Sequence, residues 1–422
     1  MAIQIVCLCG PLDPEILRQG LFRLQARHPQ LQSTISDAGR YFGFCNEPYR
    51  QSTPEQRYGA VPLEVVPRNG DDSWMGATEQ ELSRDFLKDS HCLWRVVLLY
   101  GGVGDACHEL IMVFHHAISD GVSTTRFAHE LFLFCGGGVD DDADCLSGSL
   151  PASLPWTQPI EQRIPRQDAD GSAGSGDQQK NEVGNLPYEV KAPLAGRKAR
   201  RLFRRIDPQV MAGLKSGCKK NHMTLNGALT AAILLAAADM QNAAEHIACT
   251  SAVNLRTYSQ PAVSDDHFGC FIMMLDTVHA LKGHLSFWDL AANCGRELKR
   301  EISLKKSQGF LPSQFHKAFL GGAMHNRIAG AAARSQFAAG PAFSNVGRPV
   351  FAESYGPLQL RGIYCTAPQV SGLYPFFLCV ISLHGTLHCC YSYAEPLISS
   401  IRITALANAF ECNLQAAAKT QT

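Results

Sequence analysis

Two adjacent histidines close an apolar run in Val113-Phe114-His115-His116-Ala117-Ile118-Ser119-Asp120-Gly121. An imidazole titrates near neutrality, so it can take a proton without help from a metal or cofactor. A histidine at the end of a buried strand is also held by rigid backbone, as a base must be if it is to meet one reacting atom. Asp120 and Gly121 then turn the chain, and glycine there can adopt backbone angles that other residues resist. The residues by themselves leave three readings open: a catalytic base, a pair of core histidines, or metal ligands. His108 and His129 show no ligand spacing that would complete a metal site, so no metal is expected.

The elements that must position this stretch are legible on both sides of it. Leu93 to Tyr100 and Glu109 to Phe114 read as a strand hairpin leading directly into His115. Beyond Gly121 the apolar spacing becomes helical, with Phe127, Leu131 and Phe134 on one side. Earlier, Met1 to Gly10 reads as a buried strand. Asp13 caps a helix that Pro14 opens, Leu17, Leu21 and Leu24 line, and Pro29 stops. The second half repeats this grammar. Leu202-Phe203 lies in a strand, Thr224 caps the apolar segment Leu225 to Ala238, and Ala248 to Val253 is a strand ending at Asn254-Leu255-Arg256. Ser286 caps a helix lined by Phe287, Leu290, Cys294, Leu298 and Ile302. Phe376–Ser382 and Leu387–Tyr393 form a hairpin around His384-Gly385. The expected fold is α/β, with domains at 1–150 and 196–422 and a linker over 151–195. The linker's middle is too poor in large apolar residues to offset its ordering entropy. Two halves of similar content suggest a pseudo-duplicated architecture without a clear sequence repeat.

Composition narrows the function classes. Thirty-eight basic and 38 acidic side chains cancel, which argues against a nucleic-acid partner. The local run Arg197-Lys198-Ala199-Arg200-Arg201-Leu202-Phe203-Arg204-Arg205 can hold CoA phosphates or an acidic carrier protein, but reads first as a solvated strand edge. Sixteen cysteines include no C-x-x-C pair, and many sit in apolar runs, so buried free thiols are expected rather than a disulfide framework or zinc site. Leu225 to Ala238 is too short and too interrupted to span a bilayer. With no basic leader and unpaired thiols, the expected compartment is the cytoplasm.

The segment around His115 and His116 resembles the His-His-x-x-x-Asp-Gly signature of the CoA-dependent acyltransferase superfamily. That superfamily holds chloramphenicol acetyltransferase, nonribosomal peptide condensation domains and alcohol O-acyltransferases. His91-Cys92-Leu93-Trp94-Arg95-Val96 resembles its Leu-Trp-Arg strand, and Val253-Asn254-Leu255-Arg256 its Asn-Leu-Arg segment. Phe343-Ser344-Asn345-Val346-Gly347-Arg348 is similar to the Ser-Asn-x-Gly turn of the alcohol acetyltransferase and polyketide-associated branch. Gly10-Pro11-Leu12-Asp13 and Arg27-His28-Pro29 fit as well. The resemblance implies two chloramphenicol-acetyltransferase-like two-layer domains, a pseudo-dimer within one chain, with an active-site tunnel between them. It implies His116 as the general base, with the acceptor attacking an acyl thioester directly, in keeping with the lack of a Gly-x-Ser-x-Gly elbow. His115 supports the site, Asp120 pairs with Arg256 as a structural residue, and Gly121 serves the backbone. Asn345, with Ser344, is a candidate for the oxyanion donor, and equally a turn residue.

The implied activity is O-acyl transfer from acyl-CoA or an acyl carrier protein to an alcohol, by a monomer with no permanently bound cofactor. The alternatives are a free-standing condensation-type enzyme forming an amide, and a non-catalytic binding protein on the same fold. An esterase fits less well, since water as nucleophile would waste the thioester. Two departures are expected to matter. The chain enters its first strand by about Ile3, and no Asp-Phe-Gly-Trp-Gly of the plant branch is present. Nothing resembles a carrier, adenylation or thioesterase domain, so a full synthetase module is not expected. The strip Phe268 to Leu275 fits an acyl channel or ordinary sheet core equally.

Overall fold

The computed structural model describes residues 1–37, 42–45, 51–53, 56–57, 60–86, 92–104, 106–137, 152–155, 185–240, 245–281, 286–307, 323–349 and 351–419. The first part of the chain runs β1 (Ala2–Cys9), α1 (Pro14–Arg27), β2 (Thr34–Asp37), β3 (Phe42–Cys45), β4 (Leu63–Pro67), α2 (Ser73–Leu82), β5 (Trp94–Tyr100), β6 (Cys107–Phe114) and α3 (Gly121–Cys135). It continues with β7 (Lys198–Ile206), α4 (Pro208–Lys220), α5 (Leu225–Ala238), β8 (His246–Asn254), β9 (Ile272–Ala280), α6 (Phe287–Ser307), α7 (Ala323–Ala333) and β10 (Ala342–Gly347). After β11 (Ser354–Tyr355) and β12 (Leu358–Thr366) come β13 (Phe377–Leu383), β14 (Thr386–Glu395) and α8 (Ser400–Lys419).

These elements form two compact units. Unit 1 holds Met1–Pro159, Val263–Phe271 and Arg348–Ala367, and unit 2 holds Ile160–Ala262, Ile272–Gly347 and Pro368–Thr422. Each carries a six-stranded sheet, ordered β11-β12-β1-β6-β5-β4 in unit 1 and β7-β14-β13-β10-β8-β9 in unit 2. The expected boundaries followed chain order, whereas two segments of the second half belong to unit 1. For Arg348–Ala367 the reason is β-pairing: β12 runs antiparallel to β1 from Ile3↔Thr366 to Cys9↔Gln359. The central part of the expected linker, 156–184, lies outside the described residues.

The pseudo-duplication is explicit in the topology. In unit 1, β1 pairs antiparallel with β6, β6 antiparallel with β5, and β5 parallel with β4. In unit 2, β7, β14, β13 and β10 repeat the same three relations in the same order. The helices after the first strand also match. Asp13 and Asp207 each cap a helix opened by proline, accepting from Glu15 and Gln209 N–H respectively.

Local rules account for most elements. Leu17, Leu21 and Leu24 are the buried face of α1. Thr224 caps α5, which spans Leu225–Ala238 and is buried nearly all round, as an apolar core helix should be. Gly227 admits α6 at close range, since a Cβ there would lie 2.6 Å from the Ala291 carbonyl oxygen. Ser286 and Asp289 cap α6 reciprocally. His384 and Gly385, both with positive φ, form the two-residue turn joining β13 to β14. On α3, Phe127 and Leu131 are buried as expected, but Phe132 takes the buried place given to Phe134.

One expectation about cysteine is corrected. Cys9 and Cys107 form a disulfide with a Cα–Cα distance of 4.1 Å. They face each other in the β1–β6 register, which sequence separation conceals. Unpaired thiols were one of the grounds for a reducing compartment, and this pair departs from that expectation. Among the described residues, no helix is long and apolar enough to cross a membrane.

Candidate active site

Strand β6 delivers the histidines. Phe114 pairs with Ala2 on one side and Trp94 on the other, and is fully buried. The strand stops where His115 N–H donates to Leu93 C=O (2.8 Å) and Ile118 N–H donates back to His115 C=O (3.0 Å). That turn leaves both imidazoles half-buried, between a closed core and solvent. His115 accepts the Ala117 N–H at Nδ1 (3.2 Å) and meets the edge of the Phe86 ring. Burial pushes the pKa of both rings below the ordinary imidazole range. For His116 the Asp120 charge and the carbonyls of His116 and Ser119 pull the other way without cancelling it. Both rings are therefore neutral at physiological pH, the state in which a histidine can accept a proton.

Asp120 is fully buried. Its Oδ1 accepts the Ser123 N–H (2.9 Å), capping α3, and its Oδ2 accepts the Phe271 N–H (2.9 Å). Two backbone donors on one carboxylate make a structural anchor. Gly121 is the first residue of α3 and has no positive φ, so the backbone freedom expected of it is not what the turn uses.

The other half of the corner is the segment Val263–Phe271, which sequence reasoning did not connect to it. Ser123 Oγ donates to Gly269 C=O (2.9 Å) and accepts from Gly269 N–H (3.0 Å). The Phe268 ring lies among Phe114, Phe127 and His28. Arg126 reaches Asp266 at 3.1 Å. These contacts bring Cys270 Sγ to 3.7 Å from His116 Nδ1. No spacing rule relates residues 154 positions apart. The Arg27-His28-Pro29 anchor also gains a role, since His28 Nε2 bonds Glu130 of α3 (3.0 Å). Burial opposes the Glu130 carboxylate, but His28, Arg126 and Arg27 outweigh it and hold its pKa at about 2.

Thus His115, His116, Asp120 and Gly121 come together in unit 1, whereas Arg256, Ser344 and Asn345 belong to unit 2. Arg256 follows β8 in a 3-10 turn, nearly fully buried, and its N–H donates to Asn254 Oδ1 (3.0 Å). Ser344 and Asn345 stand in β10, paired with Cys379 and Val380, rather than in a turn. The register shifts after Asn345, whose Oδ1 accepts the Gly347 N–H (3.0 Å) and whose Nδ2 donates to Asn226 Oδ1 (3.3 Å). Among the described residues, no group of three or more His, Cys, Asp or Glu side chains could hold a metal ion.

Known proteins share this fold. Residues 197–332 match the family described as phthiocerol/phthiodiolone dimycocerosyl transferase C-terminus. Polyketide synthase associated protein 5 from Mycobacterium tuberculosis superposes with a TM-score of 0.70 at 16% identity, covering 100% of this chain and 95% of that one. The chain is thus similar to that transferase family over residues 197–332, and shares the fold of the solved structure over its whole length. The trichothecene 15-O-acetyltransferase TRI3 from Fusarium sporotrichioides shares the fold as well, with a TM-score of 0.71 and 12% identity over 99% of this chain and 90% of that one. Cyclosporin synthetase of Tolypocladium inflatum is 30% identical over 234 residues, 53% of this chain and 1% of the synthetase. The chain spans only 1–4% of the length of the curated relatives it matches.

Proposed function

We propose that this protein is an O-acyltransferase of lipid or secondary-metabolite biosynthesis, on the fold of the CoA-dependent acyltransferases and condensation domains. It transfers an acyl group from CoA or an acyl carrier protein to an alcohol, with His116 as general base. The observation that carries this reading is the mounting of His116. The ring is half-buried, with its pKa lowered by burial, and stands at the end of a rigid strand beside a buried carboxylate that accepts two backbone N–H groups. His116 takes the acceptor's hydroxyl proton as the oxygen attacks the thioester carbonyl. The tetrahedral oxyanion then collapses, the C–S bond breaks, and the imidazolium returns its proton to the leaving thiolate. Asn345 is the proposed oxyanion donor. A carboxamide nitrogen carries two protons, and Asn226 takes one. Ser344 precedes it on the same strand as a substrate-positioning residue. Asp120 and Arg256 are proposed as a structural pair, and the protein as a cytoplasmic monomer with no resident cofactor.

A second reading, amide formation from a carrier-bound donor, is favoured by the sequence match to cyclosporin synthetase. One experiment separates the two. Purified protein is offered acyl-CoAs with long-chain and polyketide-like alcohols, then a loaded carrier protein with amines, and thiol release and product mass are followed. Ester from a thioester and an alcohol supports the proposal. Amide alone, formed only from the loaded carrier, establishes the second reading instead. Absence of product from every pair would leave a binding protein on this fold.

A further inference from the structure

The contact between Cys270 and His116 is built rather than incidental. Both neighbours of Cys270 are pinned to the N-terminus of α3: Gly269 by two bonds to Ser123 Oγ, and Phe271 N–H by Asp120 Oδ2. Phe268, one residue further back, is buried among three aromatic rings. A residue held on both sides has little freedom, and its half-buried side chain ends 3.7 Å from His116 Nδ1.

The nitrogen it meets matters. A neutral imidazole carries one proton, and whichever nitrogen holds it cannot act as base. The carbonyls of His116 itself and of Ser119 favour a protonated ring, against the effect of burial. A residue's own carbonyl can be reached from Nδ1 and not from the distant Nε2. Sulfur is a weak acceptor and a weak donor, so a thiol there tolerates a proton on Nδ1 and does not compete to supply one. A serine hydroxyl in the same place both donates and accepts more strongly than a thiol, so unlike the thiol it competes to supply a proton to Nδ1.

We propose that Cys270 is a positioning residue for His116, its sulfur lying against Nδ1 so that the ring proton stays there and Nε2 is left basic. This rests on the reading of His116 as the general base. It makes the Val263–Phe271 segment part of the catalytic apparatus, with Asp120 and Ser123 setting the distance between thiol and ring.

The test uses a substitution pair in which size and tautomer predict opposite orders. Serine is the closer match in volume, so a purely structural role would leave Cys270→Ser near wild type and Cys270→Ala worse. The tautomer role predicts the reverse. Cys270→Ala should lower kcat roughly three- to tenfold, the scale of one ordinary hydrogen bond, with KM unchanged. Cys270→Ser should fall further. The tautomer itself is read without substrate by long-range proton–nitrogen correlation on the ¹⁵N-histidine-labelled protein, with the His116 signals assigned from His116→Ala. Nδ1–H in wild type and Nε2–H in Cys270→Ser is the expected result. Nε2–H in wild type, or a tautomer unchanged by Cys270→Ser, overturns the proposal. Because this readout needs no turnover, it decides the role of Cys270 even in a protein that accepts none of the thioester donors.

Discussion

The same corner occurs twice in this molecule. In unit 1, β6 leaves its sheet at Phe114 and α3 begins at Gly121. In unit 2, the topologically equivalent β14 ends at Glu395 and α8 begins at Ser400. The unit 2 corner is filled with Leu397 and Ile398, both essentially inaccessible, and Ser399 caps α8 by accepting the Arg402 N–H at 3.3 Å. Leu397 C=O is also taken up by Glu189 N–H at 2.9 Å. The unit 1 corner instead holds two half-buried histidines over a buried aspartate. One corner follows packing rules throughout. The other gives up apolar burial for polar groups that must be individually bonded, which is how a functional site departs from its scaffold.

Mutations at the two corners should therefore differ in size. The largest stability effect is expected from Asp120→Ala. It removes the cap of α3 and strands the Phe271 N–H in the core, at a cost of about 2–4 kcal/mol by urea denaturation. A cost well under 1 kcal/mol would mean that the carboxylate is not the anchor described.

A pH effect of similar scale belongs to unit 2. Burial, with Arg205 and His384 nearby, holds the His388 pKa down to about 4 from 6.5. The folded ring stays neutral while the unfolded chain takes up its proton first. Stability is then fully present above about pH 6.5 and declines as pH falls toward 4, by up to about 3 kcal/mol. His388→Gln should flatten that decline in denaturation curves taken across the window, and an unchanged slope would assign the acid sensitivity elsewhere. The smallest effect is expected from Ser399→Ala. Loss of an ordinary cap should cost about 1 kcal/mol with no change in turnover. A large loss of activity there would break the distinction between the two corners.

Local chemistry made much of this legible in sequence. Asp13-Pro14, Thr224 and His384-Gly385 announce their caps and turn because each signal lies within a few residues of its effect. The histidine corner was visible because strand, turn and helix are contiguous there. What stayed hidden is non-local. Nothing in Leu358–Thr366 marks it as the partner of β1, and nothing in Cys9 and Cys107 shows that they face each other in register. Cys270 reaches His116 only because Asp120 and Ser123 bind backbone groups of its neighbours, and backbone groups leave no trace in residue identity. Ser344 and Asn345 looked like a turn because their composition suits one, yet pairing with β13 draws them into a strand.

Catalysis is proposed to reside at the unit 1 corner, in the His116 ring. The most direct measurement is acyl transfer by His116→Ala beside wild type, with matched thermal melting to show that both are folded. Loss of roughly 10²–10⁴ in rate with an unchanged melting curve is the predicted result, the contribution typical of a positioned general base. Ester formation at the wild-type rate by the folded variant would contradict it.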